Sequence, residues 1–135
     1  MTSRAATPVR FEAAVPQFTV PDVVRTAEYY RDVLGFHIAG YWSTPPAFAI
    51  VWRGRVELFF NRADRSDVRT GRARGAYDAY LRVDGVYALA EELRERGAEI
   101  LEGPVLRVYE QLELVIADCN GLILAFGENR SRSET

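Results

Sequence analysis

The sequence predicts an α+β domain made of two βαββ(β) modules, which form a cup-shaped mixed sheet with the helices on its outer face. The order strand, helix and three strands can be followed twice along the chain. Phe18 corresponds to Leu81, and Val23 to Val86, at the same offset of 63 residues. Because a solenoid needs more than two repeats, we interpret the pattern as one duplicated unit.

The first module is expected over residues 14–61. Residues 14–20 alternate between apolar and polar as in a strand. Asp22 is placed to cap a helix, and apolar residues then recur at spacings of four, three and four until Gly35 ends the helix. Three strands are predicted next, at residues 36–42, 47–52 and 56–61.

The second module is expected over residues 77–128, after a linker at residues 62–76. A strand at residues 79–83 precedes a second amphipathic helix, which Gly97 ends. The Asn120-Gly121 turn favours a hairpin. The remaining strands are predicted at residues 98–101, 105–108, 111–117 and 122–126, with a flexible arm at residues 1–13 and a polar tail at residues 129–135.

Composition limits the class of protein. With 48% apolar and 27% charged residues, the 135-residue chain has the balance of one globular domain. No run approaches the roughly 20 apolar residues that span a bilayer, and the first residues lack the apolar core of a signal peptide. We therefore expect a cytoplasmic protein without a membrane partner. The net charge of −2 argues against nucleic acid as a partner.

Arginine is the only basic residue apart from one histidine, and it is concentrated in the linker. This cluster is either a solvated loop or a patch for an anionic ligand or RNA. Interleaved acidic residues weaken the second interpretation. The cluster consists of Arg62, Arg65, Arg69, Arg72 and Arg74, and the acidic residues are Asp64 and Asp67.

The single cysteine, Cys119, excludes a disulfide within the chain. A catalytic thiol needs a nearby base. Because the only histidine, His37, is far away in the sequence, we expect a structural role for Cys119.

Two motifs resemble a known family, the vicinal oxygen chelate superfamily. The run from Val20 to Asp22, followed by Tyr29-Tyr30-Arg31-Asp32-Val33-Leu34-Gly35-Phe36, resembles its first helix, Val-x-Asp and then Phe-Tyr-x-x-x-Leu-Gly-Phe. Glu113 followed by Asp118-Cys119-Asn120-Gly121 resembles its Glu-Phe-x-x-x-Asp-Pro-x-Gly-Asn motif, with Cys for Pro and Leu for Asn.

The resemblance covers residues 14–128 and implies paired modules in a cup-shaped sheet, commonly in a dimer. The superfamily includes glyoxalase, extradiol dioxygenases, fosfomycin-resistance enzymes and bleomycin-binding resistance proteins. Such a range of activities means that the fold does not determine the function.

The resemblance also implies where metal ligands would lie, namely at Val15, Asp78 and Ala125. Two of these side chains have no donor atom, and the chain has one imidazole, whereas metals of this class favour several imidazole and carboxylate ligands. We therefore expect no metal or other cofactor, as in the bleomycin-resistance-like members. A carboxylate-only site from Glu57, Asp78 and Glu113 is the alternative.

Strand alternation places a set of polar and aromatic side chains on the face of the cup. The aromatic residues of the first module could instead belong to the core or a dimer interface. The two glutamates could be ordinary charges on an open sheet face, and Asp78 could simply begin a strand. The candidate ligand-binding residues are Gln17, Thr19, Trp42, Trp52, Glu57, Phe59, Asp78, Tyr80, Arg82, Tyr109, Gln111 and Glu113.

Three functional hypotheses follow. The first is a metal-free homodimer that binds a cationic or aromatic small molecule, such as an antibiotic or another natural product. The second is a lyase, an isomerase or a divergent metal enzyme that uses Glu57, Asp78 or Glu113. The third is an interaction domain whose own side chains fill the cup. Bleomycin itself is not expected, because residues 109–113 lack the Trp-Gly-x-Glu run of bleomycin binders.

Overall fold

A computed structural model describes residues 7–64, 70–71 and 75–131. The first module consists of β1 (Gln17–Val20), α1 (Val23–Asp32), β2 (His37–Trp42), β3 (Phe48–Arg53) and β4 (Val56–Arg62). The second consists of β5 (Ala79–Arg82), α2 (Val86–Glu95), β6 (Glu99–Leu106), β7 (Gln111–Ala117) and β8 (Ile123–Asn129). The predicted α+β class and the two modules are confirmed.

Each module forms its own four-stranded mixed sheet. The first sheet has the order β1-β4-β3-β2 and the second has the equivalent order β5-β8-β7-β6. In both, the first strand pairs in parallel with the last strand of its module, and the other neighbours are antiparallel. Within the described ranges, no strand pairing joins the two sheets.

The two helices begin in different ways. The side chain of Asp22 accepts a hydrogen bond of 3.0 Å from the backbone N–H of Arg25, as the sequence predicts for a helix cap. The cap position before α2 is occupied by Gly85, which has no side chain to accept a hydrogen bond. The carboxylate of Glu128 on β8 instead accepts from the N–H groups of Gly85 and Val86, at 3.0 and 2.9 Å.

The helix-bearing sides of the two sheets share one hydrophobic core, which includes Val20 and Leu81. Polar contacts also join the modules there. The hydroxyl of Tyr30 on α1 donates to the buried Asp118 carboxylate at 2.6 Å. Each sheet therefore has a helix-covered side facing this core and an opposite side, here called its open face, which is turned away from the core.

Several strand boundaries differ from those predicted. The separate strands expected at residues 98–101 and 105–108 are one strand, β6, whose pairing with β7 is shifted near Glu102 and again before Val105. Gly103 and Pro104 lie in this irregular part. Because such residues usually end strands, the sequence predicts an interruption between two strands there. Strand β8 continues to Asn129, where the polar tail was expected to begin.

Most of the arginine cluster in the linker, namely Arg65, Arg69, Arg72 and Arg74, lies outside the described residues. Neither helix in the described part of the chain is long and apolar enough to cross a membrane.

Candidate functional site

The open face of the second sheet carries a buried carboxylate, that of Glu113 on β7, with an exposure of 0%. The neighbouring residue across the ladder is Gly127 on β8. A Cβ atom added at Gly127 would lie 1.8 Å from the hydroxyl oxygen of Tyr80. Only glycine therefore leaves room for the Tyr80 ring to lie across β8 and reach Glu113.

Among the described residues, four side chains donate hydrogen bonds to Glu113. Its Oε1 accepts from Arg107 Nε at 2.8 Å and, at the long distance of 3.4 Å, from the hydroxyl of Tyr77. Its Oε2 accepts from the hydroxyls of Tyr80 and Tyr109 at 2.8 and 2.9 Å. These five residues are called the Glu113 cluster below. Since every contact is a donor to the carboxylate, the arrangement suits the ionised form of Glu113.

The electrostatics agree with this geometry. Burial would raise the pKa of Glu113, but the hydrogen bonds from Arg107, Tyr80 and Tyr109 outweigh it and lower the pKa below its usual range. Burial, together with the bond to the Glu113 carboxylate, raises the pKa of Tyr80 to about 12. Hydrogen bonds to Glu102 and Glu113 raise the pKa of Arg107. Arg107 therefore holds a positive charge between two carboxylates.

Two further predicted residues border the cluster. The guanidinium of Arg82 donates to the side-chain oxygen of Gln111 and lies 5.5 Å from the centre of the Tyr80 ring. The Gln111 amide in turn donates to the side chain of Asn129 at 3.2 Å. The structure thus brings together five predicted residues: Tyr80, Arg82, Tyr109, Gln111 and Glu113.

Sequence reasoning missed three members of this network. Tyr77 is the first residue of the predicted second module, with no role predicted for it, and Arg107 is predicted only as part of a strand. Glu102, which binds Arg107 through two contacts of 2.9 Å, was not considered. One available signal was that a glutamate flanked by Leu112 and Leu114 in a buried strand needs a cation nearby.

Asp78 does not take part in the Glu113 cluster through any hydrogen bond that involves the described residues. Its Oδ2 accepts from the backbone N–H groups of Gly71 and Ile123, each at 2.7 Å. Through these two bonds, Asp78 connects Gly71 in the linker to the start of β8. The geometry therefore gives Asp78 a structural role at the start of β5.

The open face of the first sheet is aromatic instead. The ring centroids of Trp42 and Phe48 are 5.7 Å apart, and those of Phe48 and Phe59 are 5.3 Å apart. The rings of Trp52 and His37 are in contact, with centroids 4.4 Å apart and planes tilted by 31°. We call Trp42, Phe48, Trp52 and Phe59 the aromatic face. Trp42 and Trp52 are 48% and 41% exposed.

The other predicted residues of the first module lie on this same face. Gln17 is the ladder partner of Phe59, and Glu57 is that of Trp52. Gln17, Thr19 and Glu57 are all exposed. The predicted ligand-binding residues are therefore divided between two open faces, which one chain does not bring together. Phe48 was missed, although its alternation with Ala49 would have placed it there.

Among the described residues of one chain, the side chains at the implied ligand positions do not fit a metal ion. Val15 and Ala125, at two of the positions that the resemblance assigns to ligands, have no donor atoms, and Asp78 is bound to the backbone. Glu57 and Glu113 lie on different sheets. In the part of the chain that is described, no group of three or more His, Cys, Asp or Glu side chains is placed to hold an ion.

The thiol of Cys119 is partly buried. Burial and the neighbouring Asp118 carboxylate raise its pKa to about 11. A thiol in this state is a poor nucleophile, which agrees with the structural role predicted for it.

Comparisons with known proteins agree with this fold. The family model described as the Glyoxalase/Bleomycin resistance protein/Dioxygenase superfamily matches residues 13–126. No curated protein matches the sequence.

Several solved structures have a similar fold. A bleomycin resistance determinant encoded on the transposon Tn5 is 20% identical with a TM-score of 0.70, covering 88% of this chain and 98% of its own. A bleomycin-binding protein complexed with bleomycin is 21% identical with a TM-score of 0.70, covering 88% and 99%. TioX from Micromonospora sp. ML1 is 14% identical with a TM-score of 0.71, covering 88% and 99%. At these identities the likeness shows the fold alone.

Proposed function

Because the chain belongs to the glyoxalase/bleomycin resistance protein/dioxygenase superfamily, we propose that it binds an aromatic small molecule on the open face of its second sheet without transforming it. The observation that carries this proposal is the state of Glu113. Its carboxylate is buried, and donors occupy both oxygens.

Such a carboxylate is poorly suited to catalysis. A general base works best when its pKa lies near the working pH and when it can reach a substrate proton. The pKa of Glu113 is lowered instead, and its oxygens are turned to Arg107, Tyr80 and Tyr109. Glu113 is better suited to holding the two tyrosines in place, so that their rings form a rigid binding surface.

The composition of this surface favours an aromatic ligand over a simple cation. Tyr77, Tyr80 and Tyr109 all expose part of their rings. The nearby charges balance, because Arg82 and Arg107 oppose Glu102 and Glu113. Ring stacking therefore contributes more to selection than net charge does. A natural product such as an antibiotic has the required chemistry, and the fold shared with a bleomycin-binding protein supports sequestration.

We also propose that a second copy of the chain completes the site. Exposed aromatic residues that are grouped on one face commonly mark an interface. The aromatic face, with Trp42 and Trp52 at its surface, is such a group. In a homodimer this face would meet the open face of the partner's second sheet, enclosing the ligand between them.

A lyase or isomerase is the alternative, and one observation favours it. In the described structure, the exposed carboxylate of Glu57 makes no hydrogen bond or ion pair, and it lies beside the Trp52 ring on the ladder. A substrate enclosed in the dimer would meet a carboxylate that is within reach to accept a proton.

Calorimetric titration with a panel of aromatic natural products tests the proposal. We expect stoichiometric binding of at least one compound, recovered unchanged by chromatography, and about tenfold weaker binding by Glu113→Gln and Tyr80→Phe. The control Glu95→Gln, on the exposed side of α2, should bind as the wild type does. Conversion of the compound, lost in Glu57→Gln, would support the enzyme instead.

A further inference from the structure

A cavity of about 300 Å³ lies between the two modules, on the helix side of the second sheet. Leu34 contributes to its wall from the first module, and Leu81, Leu89 and Phe126 do so from the second. Leu81 points to the side of β5 opposite its neighbour Tyr80, because side chains alternate along a strand. The cavity and the Glu113 cluster are therefore two sites on opposite sides of one sheet.

Most polar groups in the cavity wall are already bonded within the protein. Arg53 donates from Nη1 to the backbone oxygen of Leu34 at 2.8 Å, and from Nη1 and Nη2 to Glu92 at 3.0 and 2.9 Å. The backbone N–H of Gly85 donates to Glu128. These groups are therefore largely used within the protein and offer a ligand few hydrogen bonds. The rest of the cavity wall is mainly apolar.

Asp84 is the exception. It lines the cavity from the loop before α2 and is exposed, so it lies at the opening. Among the described residues, its carboxylate has no hydrogen bond or ion pair. A ligand with an apolar body inside the cavity would place its polar end beside this free negative charge.

We infer that this cavity is a second binding site, for a small primary amine with an aliphatic or aromatic body. The body would lie between Leu34 and Leu89, and the ammonium group would lie beside Asp84 at the opening. The volume is at the lower end of the range for ligand sites, which suits a molecule smaller than an antibiotic. The inference does not depend on the function proposed for the open face.

Three probes with the same tail test the choice of head group: octylamine, octanol and octanoate. Titration calorimetry at pH 7 should give the tightest binding for octylamine, about fivefold weaker binding for octanol, and the weakest for octanoate. Equal binding of all three, or preference for octanoate, would overturn the inference.

Two variants locate the binding. Asp84→Asn should weaken octylamine about fivefold and leave octanol unchanged, because it removes only the charge. Leu89→Trp should abolish binding of all three probes, because the indole fills the cavity. Should Leu89→Trp fail to fold, which its circular-dichroism melt would reveal, Asp84→Asn still decides the matter as an exposed substitution. Unchanged octylamine binding by Asp84→Asn would contradict the inference.

Tyr80→Phe is the control for the other face. It should leave octylamine binding unchanged, since Tyr80 lies on the opposite side of the sheet. Weakened octylamine binding by Tyr80→Phe would place the amine at the Glu113 cluster and overturn the second site. If no probe binds, the inference is equally overturned, and a sedimentation coefficient that Leu89→Trp changes would then point to a second copy in the cavity.

Discussion

The two modules have the same strand order but present different open faces. In the first module, Gln17 on β1 is paired with Phe59 on β4. At the corresponding place in the second, Tyr80 on β5 is paired with Ala125 on β8. The large ring of this pair is Phe59 on the last strand in the first module, and Tyr80 on the first strand in the second module.

The modules also differ at a second pair of corresponding positions, on their last two strands. The first module pairs Phe48 with Asn61, and the second pairs Glu113 with Gly127. The small residue on β8 gives the Tyr80 ring the space to cover a carboxylate. One strand order therefore supports an exposed aromatic face in the first module and a buried ionised cluster in the second.

The largest effect is expected from removing the cation of the second module. Arg107→Ala leaves Glu113 buried with only tyrosine donors, and should lower the free energy of unfolding by about 3 kcal/mol, because a buried charge loses its partner. Urea denaturation at pH 7 measures this. The matched control is Arg94→Ala, which breaks an exposed helix pair with Glu91 and should cost less than about 0.5 kcal/mol. Equal losses would mean that Arg107 is an ordinary surface charge.

A smaller effect is expected at Gly127. Gly127→Ala places a methyl group against the Tyr80 ring, and should cost about 2 kcal/mol as the ring moves away from Glu113. Binding of the aromatic ligand should fall as well. The corresponding change in the first module, Asn61→Ala, has no such ring to displace and should cost about 0.5 kcal/mol. Thermal denaturation measures the loss of stability in each variant. Similar losses in Gly127→Ala and Asn61→Ala would mean that Gly127 has no special role in making room for the Tyr80 ring.

The pH dependence of stability follows from the lowered pKa of Glu113. A carboxyl group whose pKa is lower in the folded state stabilises the protein above its unfolded pKa, about 4.3 for glutamate, and that contribution is lost as the pH falls through the folded pKa. The stability difference between wild type and Glu113→Gln should therefore shrink below about pH 4.3. Denaturation curves from pH 3 to 7 test this. If the stability difference between wild type and Glu113→Gln grows as the pH falls, the pKa of Glu113 is not lowered by folding.

The smallest effect on folding is expected on the aromatic face. Trp52→Ala removes an exposed ring, so the stability of the monomer should change by about 0.5 kcal/mol or less. Self-association, measured by analytical ultracentrifugation, should weaken about tenfold if this face forms the proposed dimer. Tyr87→Ala, an exposed aromatic on α2, is the control and should leave association unchanged.

Much of the fold could be predicted from the sequence because it depends on local patterns. Alternation placed Val20 and Leu81 on the core side, and both lie there. The cap at Asp22 depends on one side chain and the turn that follows it. The continuity of β6 was not predicted, because Gly103 and Pro104 end strands in most sequences but here lie at a pairing irregularity.

The candidate site was harder to predict because it depends on distant contacts. Tyr77 and Glu113 are 36 residues apart. The attachment of Asp78 to Ile123 joins segments 45 residues apart. No periodic pattern encodes such contacts. The division of the predicted residues between two outward faces also depends on how the modules share one core, which composition and alternation leave open.

The protonation state of Glu113 decides whether the second sheet carries a fixed binding surface or a catalytic carboxyl group. Its carboxyl carbon, assigned in 13C-labelled protein with Glu113→Gln as the reference, can be titrated by NMR. We expect a pKa for Glu113 below the ordinary value of about 4.3 for glutamate, and little change in that pKa when Glu57 is replaced by Gln. A pKa raised towards neutrality would instead make Glu113 a candidate general acid or base, and it would then not be the fixed centre of a binding surface.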